Sequence, residues 1–242
     1  MRFAVLHQLS LLDPCAVARQ DAAPPKAGRP LGGAAFSRAL ENGARLEVAP
    51  PRGGVATSSR VASDTDSGAC IEALVEREDW ENARKAILKE LEAEPDSHYL
   101  ISRLALTYYE QRQYETALHY SQKAMKLAPH CPLVLWDYAG ALEQTGHDRE
   151  AIRIWKRLLR RGIERIAHGP CGEGIRQAES LLNDCRYRIG KTYYFLGHHA
   201  LAWRYMQAHL SHRRRGLPSI YSRADALWNL ERIARRRRKP RA

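Results

Sequence analysis

The amino-acid sequence predicts an all-α fold: a right-handed α-solenoid of about four helix pairs, closed by a C-terminal capping helix. Three observations predict it. Ala83, Ala117 and Ala151 recur at steps of 34 residues, each with Trp80, Tyr114 or Asp148 three positions before and Ile87, Ser121 or Trp155 four positions after. Pro95 and Pro129 end the first two units, twelve residues past the alanine. Apolar residues within a unit fall at helical spacing, as in Ile101, Leu104, Ala105 and Tyr108, and again in Leu135, Tyr138, Ala139 and Leu142. A fixed period of this length marks stacked supersecondary units, each burying the apolar face of its neighbour.

Residues 1–65 lack that pattern. Pro24-Pro25, Gly32-Gly33, Pro50-Pro51 and Gly53-Gly54 break every candidate element, so a poorly ordered segment is expected. The repeat domain is expected over 66–212. Its first unit is degenerate, with Cys70 and Ile71 where a Leu and a small residue belong, and its third ends at Gly162 without a proline. Ile189, Gly190, Tyr193, Gly197, Ala202 and Met206 restore the same offsets in a fourth unit. The step from Ala151 to Ala202 is 51 residues, which places an insertion of about 17 residues at 162–176. Residues 213–242 are expected to hold the capping helix and a basic tail. Ser222 and Asp225 form a capping box there, and Ala226, Leu230 and Ile233 form one apolar stripe.

The spacing resembles the tetratricopeptide repeat (TPR), a helix–turn–helix unit; the best copy runs from Ser97 to Cys131. There Ile101, Leu104, Ala105, Tyr108, Tyr114, Ala117, Ala124 and Pro129 match the pattern, and only Ser121 departs, with Tyr120 beside it. The resemblance implies a protein-interaction scaffold or adaptor, not an enzyme, with a protein or peptide partner in the concave groove. It also implies which residues face that groove. Tyr99, Arg103, Leu106 and Tyr109 do so in the second unit, and Leu133, Trp136, Asp137 and Gly140 in the third. Asp184, Tyr187, Arg188, Lys191 and Tyr194 do so in the fourth. Of these, Tyr99, Arg103, Tyr109, Trp136, Asp137, Tyr187, Arg188, Lys191 and Tyr194 are the candidate partner-binding residues, since aromatic and Arg side chains dominate binding hot spots. The competing reading is that several of the aromatics pack between neighbouring helices. The carboxylate clamp by which some TPR proteins hold chaperone tails is absent: Gly68, Glu72, Arg103, Leu133 and Asp137 stand at its positions.

Net charge is +12 over 242 residues and is concentrated at the C-terminus, where residues 166–242 hold 16 basic and 5 acidic side chains. Arg213 to Arg215, and Arg235 to Arg238 with Lys239 and Arg241, suit phosphates or an acidic surface. A nucleic-acid-associated adaptor is thus the alternative function; a solvated terminus is the plainer reading. Five scattered cysteines without a C-x-x-C pair read as reduced thiols, and no apolar run is long enough to span a membrane, so a cytoplasmic location is expected. No cofactor, metal site or catalytic residue is expected. His168-Gly169-Pro170-Cys171-Gly172-Glu173-Gly174 is read chiefly as a connecting loop, with a partner contact or a thiol activated by His168 as alternatives. His209 and His212, one helical turn apart, invite a shared metal but read more plainly as solvated or packed side chains.

Overall fold

A computed structural model describes residues 61–214, 216–217 and 219–238. Within them the chain is an all-α solenoid of TPR-like helix pairs, with no strand among the described residues. The helices are α1 (Val61–Glu76), α2 (Trp80–Ala93), α3 (His98–Glu110), α4 (Tyr114–Leu127), α5 (Pro132–Gln144), α6 (Asp148–Ala167), α7 (Ile175–Phe195), α8 (His199–Arg214) and α9 (Arg223–Arg238). The first begins at Val61, ahead of the boundary drawn at 66; the expectation for 1–60 lies outside the described residues, as does that for the tail at 239–242.

The repeated alanines sit where the two helices of a pair cross. Ala83, Ala151 and Ala202 are 0% exposed and Ala117 is 1% exposed, because a larger side chain would hold the backbones apart. Gly190 takes this furthest. A Cβ there would lie 3.2 Å from the Met206 nitrogen and 3.3 Å from the Ala202 carbonyl oxygen, so α7 and α8 meet almost backbone to backbone.

The turn inside each pair is the same device four times. The amides of Asp79, Gln113, His147 and His198 each donate to the carbonyl five residues back, at Leu74, Tyr108, Leu142 and Tyr193. This 6→1 bond closes a helix through a residue in the left-handed region. Gly146 and Gly197 hold that position at φ +81° and +76°, at no steric cost, while Glu78 and Arg112 hold it at φ +60° and +61°.

Ser121, the departure from the repeat pattern, is buried, and its hydroxyl turns back to the Leu118 carbonyl. Its neighbour Tyr120 stacks on Tyr108 with centroids 5.5 Å apart. The missing bulk leaves a half-enclosed cavity of about 20 Å³ among Ala105, Tyr109, Trp136 and Gly140, which is room for one water molecule.

The expected insertion is more helical than its glycines suggested. Gly162 breaks α6 at φ +76°, but the helix resumes to Ala167 and buries Ile166. Only residues 168–174 are then loop, and α7 starts at Ile175. At 21 residues α7 is eight longer than α3 or α5, and its first turns pack Ala178, Leu181 and Leu182 into the core shared with α5 and α6.

Candidate functional site

The first helices of the pairs carry two buried or half-buried polar clusters. In the first, Arg103 of α3 pairs with Glu72 of α1 through Nε and Oε1 at 2.5 Å. The Tyr99 hydroxyl donates to the same oxygen at 2.6 Å, and the guanidinium lies 5.3 Å from the Tyr99 ring centre. Asp137 of α5 lies next along the face and accepts from the Ser102 hydroxyl at 2.9 Å. Burial pushes the Asp137 carboxyl up to about 6, against the opposing pull of Arg103 and Ser102. Tyr99 is 39% exposed while the Arg103 and Glu72 side chains are 13% and 20% exposed, so this cluster meets solvent chiefly through the Tyr99 ring.

The second cluster is covered. Arg188 of α7 pairs with Glu143 of α5 at 2.5 Å, and the two side chains are 9% and 12% exposed. The guanidinium lies 5.1 Å from the Trp155 ring centre and 5.9 Å from that of Trp136, and Thr192 donates to Glu143. Over it runs the connection between α8 and α9. Tyr221 stacks on Tyr187 at 3.8 Å and accepts from Arg188 at 3.4 Å. The Ser219 hydroxyl and the Ile220 amide both donate to Asp184, and Tyr187 donates to Asp225 at the start of α9. Burial pushes the Asp184 carboxyl up to about 7, with these donors and the charges of Arg213 and Arg188 acting against it.

The nine candidate residues therefore divide. Tyr99 is exposed and Arg103 is largely covered beside it, paired with Glu72, with Asp137 next along the face. Trp136, Tyr187 and Arg188 are 5%, 2% and 7% exposed and serve the interior: Tyr221 and Asp225 pack on Tyr187 and Arg188, and Trp136 packs against Trp155 and the Arg188 guanidinium. Tyr109 lines the small cavity with Trp136 and Arg188. Lys191 is half-buried, and Tyr194 carries the Arg232 guanidinium of α9 over its ring at 5.0 Å. What the sequence reading missed was the covering segment. Its one signal is the apolar Ile220-Tyr221 pair, set between basic runs where a solvated linker would be polar.

His209 and His212 turn Nδ1 toward the Asn183 and Ala208 carbonyls at 3.0 and 2.7 Å and share no metal-like cluster. Burial holds the His209 imidazole down at about 4. His168 faces Glu164 instead of Cys171; the ring that meets Cys171 is His98, with Nε2 3.3 Å from Sγ. Cys131, Cys171 and Cys185 are free thiols, but Cys70 is disulfide-bonded, against the expectation of reduced thiols throughout. His98, Cys131 and Cys171 form the one group of three metal-type ligands found among the described residues. The basic third is partly engaged with itself: Arg232 lies 4.3 Å from the Trp228 ring centre, Arg237 lies 5.2 Å from that of Trp203, and Arg235 pairs with Glu231.

Fold and site together define a TPR-like helical repeat in which the connection between the last two helices packs back onto α7. A family model described only as ":-like" matches residues 61–168, under half of the chain, and names no activity. No curated protein matches. Among solved structures, one crystal structure of MamA aligns at 16% identity with a TM-score of 0.45, over 69% of this chain and 94% of that one. A second MamA crystal structure aligns at 16% identity with a TM-score of 0.48, over 73% and 92%. No helix among the described residues is long and apolar enough to cross a membrane.

Proposed function

We propose that this chain is a non-catalytic scaffold that holds a protein or peptide partner against its concave face, along Glu72, Tyr99 and Arg103. The observation that carries this reading is the occupant of the α7 surface. Residues 219–221 lie there as a short non-helical segment, held by a ring stack on Tyr187 and by hydroxyl and amide bonds to Asp184. The other cluster offers the same ingredients, an aromatic ring, a guanidinium and a carboxylate, with the Tyr99 ring exposed at its edge. An aromatic ring and an Arg in a partly desolvated setting are the groups that bind at modest entropic cost. Glu173 borders this patch closely enough for the Arg103 charge to act on its carboxyl, which burial raises.

The test is site-specific photocrosslinking in the native cell, with the reactive side chain placed at position 99 or, as a control, at the exposed Lys123 of α4. A discrete adduct from position 99 alone, lost when Arg103 is replaced by Glu, supports the proposal. Equal adducts from both positions, or none from position 99, would sink it.

A further inference from the structure

We propose that His98, Cys131 and Cys171 form a binding site for a thiophilic cation of the zinc type, which fastens the 168–174 loop onto the edge of the solenoid. The three donors are far apart in sequence, and the repeat itself explains two of them. His98 is the first residue of α3, and Cys131 directly precedes α5. They stand almost one 34-residue period apart, so stacking the pairs brings the two helix starts side by side. The loop supplies the third. All three ligand atoms lie within 4.8 Å of one another, and His98 Nε2 is 3.3 Å from Cys171 Sγ. Donors at about 2.0–2.3 Å from a tetrahedral zinc sit roughly 3.5–3.8 Å apart, so modest side-chain shifts complete the shell.

The loop is shaped to hold that thiol in place. A Cβ on Gly169 would fall 2.4 Å from the Arg165 carbonyl oxygen, and one on Gly172 would fall 2.3 Å from that of Ala167. Both glycines are thus pressed onto the end of α6, and the Gly174 amide donates to the Ala167 carbonyl. Between them Cys171 holds φ +58°, a region that a non-glycine side chain enters at a cost. Burial is graded across the cluster: Cys131 is buried, His98 half-buried and Cys171 exposed. The exposed side gives a path for the ion and a fourth position for water.

The chemistry balances simply. On binding, each thiol releases its proton to solvent, the dication takes the place of the two protons, and neutral His98 coordinates through Nε2. Two thiolates and one dication make a neutral core, beside Arg157 and Arg161 of α6, which donate to the Pro129 and His130 carbonyls just before Cys131. A borderline-soft cation is selected over Mg²⁺ or Ca²⁺ because the donor set holds sulfur and nitrogen but no oxygen.

The experiment titrates reduced, metal-free full-length chain with Co²⁺, follows the thiolate-to-cobalt absorption, and then displaces the cobalt with Zn²⁺. One equivalent of cobalt with a tetrahedral spectrum, displaced by one equivalent of zinc, is expected. Cys171→Ser and His98→Ala should each weaken zinc binding by more than the roughly 10–100-fold that even an outer-shell partner is worth. Cys185→Ser, a fully buried thiol outside the cluster, should leave binding unchanged. Cys171 lies on an exposed loop, so its variant tests the site even if Cys131→Ser fails to fold. Absence of the band in the reduced chain overturns the proposal, as does a band that persists in Cys171→Ser. So does a reduced chain that takes no cobalt while Cys131 and Cys171 close to a disulfide in air.

Discussion

Replacing Glu143 by Leu tests how the covered cluster is held. The Arg188 side chain is 9% exposed, and Glu143 is the carboxylate that neutralises it. Removing one partner of a buried pair costs about 3–5 kcal/mol, because a charge is left without compensation. Two features of the site favour the lower end of that range. The guanidinium keeps the faces of Trp155 and Trp136, and it keeps the Tyr221 hydroxyl. Thr192 loses its bond to Glu143 but retains one to the Arg188 carbonyl at 2.8 Å. A loss of about 3 kcal/mol then lowers the midpoint of thermal unfolding by roughly 6–12 °C for a domain of this size. The double variant Glu143→Leu, Arg188→Leu separates charge from packing. With both charges gone, no buried ion needs a partner, and such replacements are often close to neutral. Circular dichroism melts of wild type, both single variants and the double variant form the cycle. The reasoning fails if Glu143→Leu melts within about 0.5 kcal/mol of wild type, or if the double variant is no more stable than the single one.

Four further outcomes follow from the same structure. Arg112→Gly should raise stability by up to about 1 kcal/mol, because the position is left-handed, whereas Gly146→Ala at the equivalent turn should lower it by about 1–2 kcal/mol; urea melts with unchanged slope check both. Gly190→Leu should cost about 1–3 kcal/mol or more, since the new side chain meets the Met206 and Ala202 backbone, and a neutral result would mean that α7 and α8 are not in close contact. Asp184 has its folded pKa raised to about 7 from 3.8, so the folded state holds the extra proton and the group's stabilisation is lost as pH rises through that window. Melts of Asp184→Asn against wild type from pH 4 to 8 should therefore move in the variant's favour as pH rises, and a constant difference would contradict the assignment. His209 runs the other way: its folded pKa is lowered to about 4 from 6.5, so its contribution is present above 6.5 and is lost as pH falls toward 4. His209→Gln should flatten that acid limb of the melting-temperature profile.

The groove was only half legible before the fold was known. Tyr99 and Arg103 share one face of α3 by helical periodicity, and there they meet Glu72 of the preceding pair. Tyr187 and Arg188 obey the same periodicity, yet they are buried, because the α8–α9 connection lies across them, and Trp136 is buried against Trp155 and Arg188. Periodicity reports which face of a helix a residue occupies. It says nothing about what returns from 33 residues later in the chain to cover that face, as Tyr221 does for Arg188. The pairing of Cys171 was hidden in the same way: His168 is near in sequence, but the histidine that meets it is His98, 73 residues earlier.

The sequence by itself determined the repeat, and the physical reason is local. A buried alanine every 34 residues, an apolar stripe on each helix and a left-handed closing turn are all written within single units, and each unit needs the next to cover its apolar face. Tertiary structure alone decided three things: that the α8–α9 connection packs back onto α7, that Gly162 kinks α6 and does not end it, and that His98, Cys131 and Cys171 converge. Each depends on contacts between residues separated by a loop or by a whole repeat, and no local pattern carries that information.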